Sequence, residues 1–193
     1  MTSATSPSRL LVNLQPVLEE VHEPDYAPEL PLVHFEAYGT GERLFGWVRL
    51  RADRLTDLLN AHAELMLTDV ERQSLDDGMT QSAEEVVVGC SELVAVHASG
   101  PRGDRARRRP TQSHPVLAQA GEYLIGGHLH VQPGDDPMAG LSARPHMVPL
   151  TDAWIEFRSG HLRSRQRAET LIVNRHRLDW IFVVTDEALS RVP

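Results

Sequence analysis

Two stretches of this chain repeat one another in order, and a repeat of strand-like segments restricts the fold more than any single motif. The first copy opens on Leu44-Phe45-Gly46-Trp47-Val48-Arg49-Leu50, the second on Leu124-Ile125-Gly126-Gly127-His128-Leu129-His130-Val131. Leu67-Thr68-Asp69-Val70 is answered by Leu150-Thr151-Asp152-Ala153, and Val86-Val87-Val88 by Leu171-Ile172-Val173. The runs continue through Leu93-Val94-Ala95-Val96 and Leu178-Asp179-Trp180-Ile181. The separation grows from 81 residues at Gly46 and Gly127 to 83 at Asp69 and Asp152 and 85 at Val86 and Leu171, as two short loop insertions would produce. The pattern predicts an all-β or mainly β fold with short helices, made of two related small bent-sheet units.

Local periodicity places the boundaries. Residues 1–31 read as a flexible segment and strap, polar at first and then acidic and interrupted by Pro16, Pro24, Pro28 and Pro31. The first β unit spans 32–98: Val33, Phe35 and Ala37 alternate with polar residues, and Gly39-Thr40-Gly41 turns the chain into Leu44, Gly46, Val48 and Leu50. Within it, Leu55, Leu58, Leu59 and His62 sit at helical spacing between Asp53 and His62. Residues 99–115 form an arginine-rich linker loop, and 116–190 the second β unit. Pro133 to Leu141, rich in proline and glycine, is poor helix material where the first unit has its helix.

Charge and cysteine content narrow the setting. The net charge is −8, yet all nineteen basic residues are arginines, and five of them cluster between residues 98 and 115. Net acidity argues against a broad nucleic-acid surface while leaving room for one local basic loop. Arg105, Arg107, Arg108 and Arg109 are the candidate site for an anionic partner, phosphate groups or an acidic protein surface gripped by charge-assisted hydrogen bonds. The single cysteine, Cys90, cannot form an intramolecular disulfide, and no stretch is apolar enough to span a bilayer, so a cytoplasmic location is expected.

Candidate chemistry is sparse. His128 and His130 lie two apart on a predicted strand, and His146 follows in a loop, a set that suits zinc only if the three converge. Asp69 and Asp152 hold corresponding places, which suits a structural role in each copy better than a carboxylate pair. Cys90 reads as a small buried hydrophobe, and Ser91 with His97 lacks a third, orienting group. Arg163, Arg165 and Arg167 alternate, as on a solvent-facing strand edge. The expectation is a non-enzymatic scaffold or adaptor without cofactor or metal, forming homo-oligomers.

Gly46-Trp47-Val48, Leu67-Thr68-Asp69-Val70 and Val87 to Val96 together resemble the Sm-like family. The second copy repeats the order in Gly127-His128-Leu129, Leu150-Thr151-Asp152-Ala153 and Ile172 to Leu178, so the chain also looks like uncharacterised bacterial proteins that carry such a unit twice. The resemblance implies small, strongly bent barrels that assemble into rings, and RNA binding as the alternative function. The family's aspartate and asparagine, four apart, become Asp57 and Asn60, three apart. Its arginine-glycine pair becomes Val88-Gly89 and Asn174-Arg175, which removes the clearest base-binding groups.

Overall fold

The computed structural model describes residues 30–104, 106, 109–160 and 162–191. The strap expected before Leu30 lies outside the described residues. The first half contains β1 (Leu32–Gly39), β2 (Glu42–Arg49), α1 (Leu55–Ala61), β3 (Glu64–Ser74), β4 (Thr80–Gly89), a 3-10 turn at Cys90–Glu92 and β5 (Ala95–His97). The second contains β6 (Gln112–Ala120), β7 (Tyr123–Val131), α2 (Pro137–Ser142), β8 (Met147–Ser159), β9 (Leu162–Asn174), a 3-10 turn at Arg175–Arg177 and β10 (Trp180–Val183). A last helix, α3 (Asp186–Arg191), follows. The order of elements therefore recurs, and the mainly β composition with short helices is the expected one.

Two closing barrels of Sm-like type do not form. All ten strands of the described residues belong to one open antiparallel sheet, in the order β10-β6-β7-β8-β9-β5-β1-β2-β3-β4. A barrel would require β5 to close onto β4 of its own half. Instead β5 pairs with β1 on one side and with β9 of the other half on the second, so the ladder runs on. Neither the Sm-like resemblance nor that to tandem barrel proteins describes this architecture. The short motifs behind it have a local explanation. Asp69 and Asp152 adopt left-handed backbone, φ 51° and 47°, where the β2·β3 and β7·β8 registers shift. Aspartate tolerates that conformation better than most residues. Opposite each bulge stands a glycine. A Cβ on Gly46 would lie 3.0 Å from the Thr68 carbonyl oxygen, and one on Gly127 3.0 Å from the Ala153 Cβ.

One further expectation fails at residues 133–141, where α2 forms. Asp136 caps it, its carboxylate accepting from the Ala139 N–H at 2.8 Å, and Pro137 occupies the first turn, where a missing N–H costs nothing. Cap chemistry outweighs the poor propensity of the following residues.

Two cores flank the sheet, and they interlock where the halves meet. The first half's core gathers Phe35, Leu59 and Leu67 but also takes in Met147 and Ile172 from the second half. The second half's core gathers Ile125, Leu129 and Phe157 and takes in Tyr38, Leu75 and Ala95 from the first. Successive residues of a strand face opposite sides. Thus Val96 and Ile172, paired across the junction, enter one core, while Ala95 and Val173 enter the other. Asn60 at the end of α1 completes the clasp. Its amide nitrogen donates to the Met147 carbonyl, and its oxygen accepts the Met147 N–H, both at 2.9 Å.

Candidate functional site

The two sheet ends are the first candidate. β4 pairs only with β3, and β10 only with β6, so each leaves one row of backbone groups without a strand neighbour among the described residues. Both ends carry exposed apolar side chains. Trp180 and Phe182 are 40% and 47% exposed and stack with ring centroids 5.0 Å apart. Val87 at the other end is 59% exposed, beside Met66, its partner on β3. Exposed apolar edges invite strand addition, because unpaired N–H and C=O groups already have the geometry of a ladder. The run through Leu178 and Ile181 supplies β10 at Trp180–Val183, a strand as expected of the second unit, but it stands at an edge that its sequence was not read as forming. A signal was present: Trp180-Ile181-Phe182-Val183 is apolar on both faces, the pattern of a strand covered on both sides.

The second candidate is a polar cleft of about 950 Å³ beside the junction. Arg109 lines it, whereas Arg105, Arg107 and Arg108 fall outside the described residues. The described lining carries Asp53, Asp57, Asp104, Asp152 and Glu169 against Arg54, Arg102 and Arg109. Arg54 holds Asp57 in a two-pronged pair at 2.7 and 2.8 Å, and Arg102 pairs with Glu169. This part of the cleft is thus no cationic surface by itself. On its floor His130 bridges two hydroxyls, with Nδ1 3.2 Å from Thr111 Oγ1 and Nε2 2.7 Å from Thr151 Oγ1. Burial, then the neighbouring His128 and Arg144, lower the His130 pKa against a smaller opposing pull from Asp152.

The depressed pKa has a consequence for stability. An imidazole whose folded pKa lies below its unfolded value, about 6.5, binds its proton more readily in the unfolded chain. Its contribution is therefore present above that pH and lost as pH falls toward the folded value. His97, lowered chiefly by burial, acts in the same direction. The melting temperature should fall as pH drops from 7 toward 5, and His130→Gln should flatten that slope. An equal slope in both proteins would refute the assignment to His130.

The three histidines weighed as zinc ligands go separate ways. His128 Nε2 lies 3.1 Å from Asp186 Oδ1 on α3, His130 is held by its two threonines, and the His146 ring lies 6.2 Å from that of His176. Among the described residues, no three His, Cys, Asp or Glu side chains group to hold a metal ion. His146 instead borders a pocket of about 490 Å³ with His62, Cys90, Ser91 and Arg177. Cys90 is buried, and burial followed by the Glu64 charge raises its pKa, the reverse of an activated thiol. Ser91 hydrogen-bonds Glu92 at 3.3 Å while His97 faces Tyr38 at 3.2 Å, so the two do not meet.

The arginines of β9 serve the sheet. Arg163 and Arg165 pair with the buried Glu156 at 3.2 and 2.7 Å, and the Arg165 guanidinium lies 4.1 Å from the Trp154 ring centroid. A half-buried network at the junction has no signature in the sequence. Glu36 accepts from Arg43 at 2.8 Å, Arg43 lies over Tyr38, Phe45 and Phe157, and the Tyr38 hydroxyl reaches His97 and donates to Gln166. Burial pushes the Tyr38 phenol well above its ordinary pKa, so it stays a neutral donor.

No helix among the described residues is long and apolar enough to cross a membrane. No family model, curated protein or solved structure matches this chain.

Proposed function

We propose that this protein is a non-enzymatic scaffold or regulatory adaptor that works in the cytoplasm by self-association through the ends of its sheet. One observation carries the reading: among the described residues, a ten-stranded sheet terminates at both ends in strands without a second neighbour, and one end displays Trp180 and Phe182 to solvent. A lone buried thiol suits a reducing compartment. In this reading the loop carrying Arg105, Arg107, Arg108 and Arg109 supplies charge-assisted donors to an acidic protein partner once the assembly has formed.

The test is the absolute mass of the protein in high salt, by size-exclusion chromatography with light scattering, with the absorbance ratio recorded across the peak. The expected result is a nucleic-acid-free assembly at a multiple of the 21.5 kDa chain. A monomer at every concentration would overturn self-association. An assembly whose mass depends on bound RNA would move function to the nucleic acid.

A further inference from the structure

The contact that joins the two halves of the sheet has its two sides repeated, unused, at the sheet's ends. The first half runs β5-β1-β2-β3-β4 and the second β10-β6-β7-β8-β9. They meet where β9 pairs with β5, in the register Ala95↔Val173, Val96↔Ile172 and His97↔Leu171. β4 holds in the first half the place that β9 holds in the second, and β10 the place of β5. Local bonds agree: the Val94 N–H donates to the Tyr38 carbonyl at 2.7 Å, and at the matching position the Asp179 N–H donates to the Gln119 carbonyl at 2.8 Å.

Exposure follows the same correspondence. At the junction Ile172 enters the core of the half that owns β5, and Ala95 enters the core of the half that owns β9. His97 points with Ala95 and reaches Tyr38 of that same core. The counterparts of these three residues are Val87, Trp180 and Phe182, each an exposed apolar side chain at one of the two ends. Residues whose junction counterparts face their own half are already covered: Val88 is buried, and Val86 and Ile181 pack against their own cores. These three bare side chains are ones that the junction would bury on a neighbour, whereas Val183, 41% exposed, lies one residue beyond the paired register.

Backbone phase completes the match. The Cys90 N–H donates to the Ala63 carbonyl at 2.8 Å, and the β3·β4 register is unbroken from Gly89 to Val86, so the Val88 and Val86 N–H groups point at β3. The Val87 N–H therefore points outward, since hydrogen-bonding direction alternates along a strand. On β10, the Val184 N–H donates to the Pro115 carbonyl at 2.9 Å, which leaves the Ile181 N–H pointing outward by the same alternation. At the junction the bonds Asn174 N–H to Val94 O and Ala98 N–H to Thr170 O make Val96↔Ile172 a hydrogen-bonded pair. Ile181 and Val87 are the corresponding pair.

We infer that β10 of one copy adds to β4 of the next, antiparallel, in the register Trp180↔Val88, Ile181↔Val87 and Phe182↔Val86. This rests on the self-association reading and adds to it the partner edge and the pairing. The contact is head-to-tail, so repetition either closes a ring or extends a fibre. Two clasps of the junction have no counterpart at the ends. Asn174, whose amide donates to the Leu93 carbonyl at 2.9 Å, is replaced by Gly89, and α2, which holds the place of α1, has no asparagine to repeat the bridge from Asn60 to the Met147 backbone. The contact between copies is accordingly weaker than the one within the chain, and assembly rises with concentration.

Paired cysteines read the register. Phe182↔Val86 corresponds to a non-hydrogen-bonded pair, where Cα atoms approach to about 4.5 Å, within disulfide range. In a Cys90→Ala background, Val86→Cys with Phe182→Cys should give a ladder of disulfide-linked multimers under mild oxidation, and each single cysteine should give none. Dimers from either single variant would mean that like edges pair, and would overturn the head-to-tail register while leaving self-association standing. So would an unlinked double variant whose mass is multimeric. Val87→Pro removes only an outward N–H and is tolerated on an edge strand. It should keep the circular dichroism and melting of the parent and lose assembly, and a multimeric Val87→Pro protein would sink the proposal. A monomeric parent removes both readings at once.

Discussion

Tyr38→Ala is expected to lower the unfolding free energy by about 3–5 kcal/mol, the usual loss for truncating a buried aromatic. Tyr38 belongs to β1 of the first half but is fully buried in the second half's core, with ring centroids 5.7 Å from Tyr123 and 5.4 Å from Phe157. The truncation opens a cavity there and takes a ring from beneath Arg43. It also strands His97 and Gln166, which lose the hydroxyl between them. Tyr38→Phe should cost only about 1 kcal/mol, the hydrogen-bond part alone. Denaturant unfolding followed by both fluorescence and circular dichroism measures this. A loss below 1 kcal/mol for the alanine variant would show that the halves are not held together by this ring.

Gly126→Val should destabilise through the opposite error, overpacking, by about 1–3 kcal/mol or more. Even the first added carbon would sit 2.4 Å from Trp154 Cε2 and 2.7 Å from Leu189 Cδ1. Trp154 has little freedom to yield, being buried beneath the Arg165 guanidinium. Leu189 is the buried residue of α3, so the helix should be the part that detaches. A lowered melting temperature with a shifted tryptophan emission is the expected pair of readings. An unchanged melting temperature would place both the Trp154 ring and α3 elsewhere in solution.

Much of the architecture was legible from local pattern. The alternation of Val33, Phe35 and Ala37 gives β1, the spacing of Leu55, Leu58 and Leu59 gives α1, and the paired Leu-Thr-Asp motifs mark two bulges. Closure was not legible. Whether Ala95 to His97 pairs with β4 of its own half or with β9 of the other depends on competition between two apolar strands, Val86-Val87-Val88 and Leu171-Ile172-Val173. Their sequences are nearly interchangeable locally. What separates them is long-range: the Asn174 side-chain amide donates to the Leu93 carbonyl, which Gly89 cannot do, and the Asn60 amide grips the backbone of Met147 beside β9. The candidate site was hidden for the same reason, because a strand is an edge only by virtue of its neighbours. The arginines were readable as a charge cluster, but the pairing of Arg163 and Arg165 with Glu156 requires the β8·β9 register.

The interlocked cores set a timetable for a chain made from its N-terminus onward. The first half's core lacks Met147 and Ile172 until the second half has been synthesised, and Val96 waits more than seventy residues for the strand opposite it. Domains normally fold as units in the order they emerge, and this one cannot finish its first unit before most of the second exists. The nascent first half therefore presents β5 and β4 to the cell as two open edges. Of these, the later arrival of β9 closes one, while β4 keeps β3 as its single partner among the described strands.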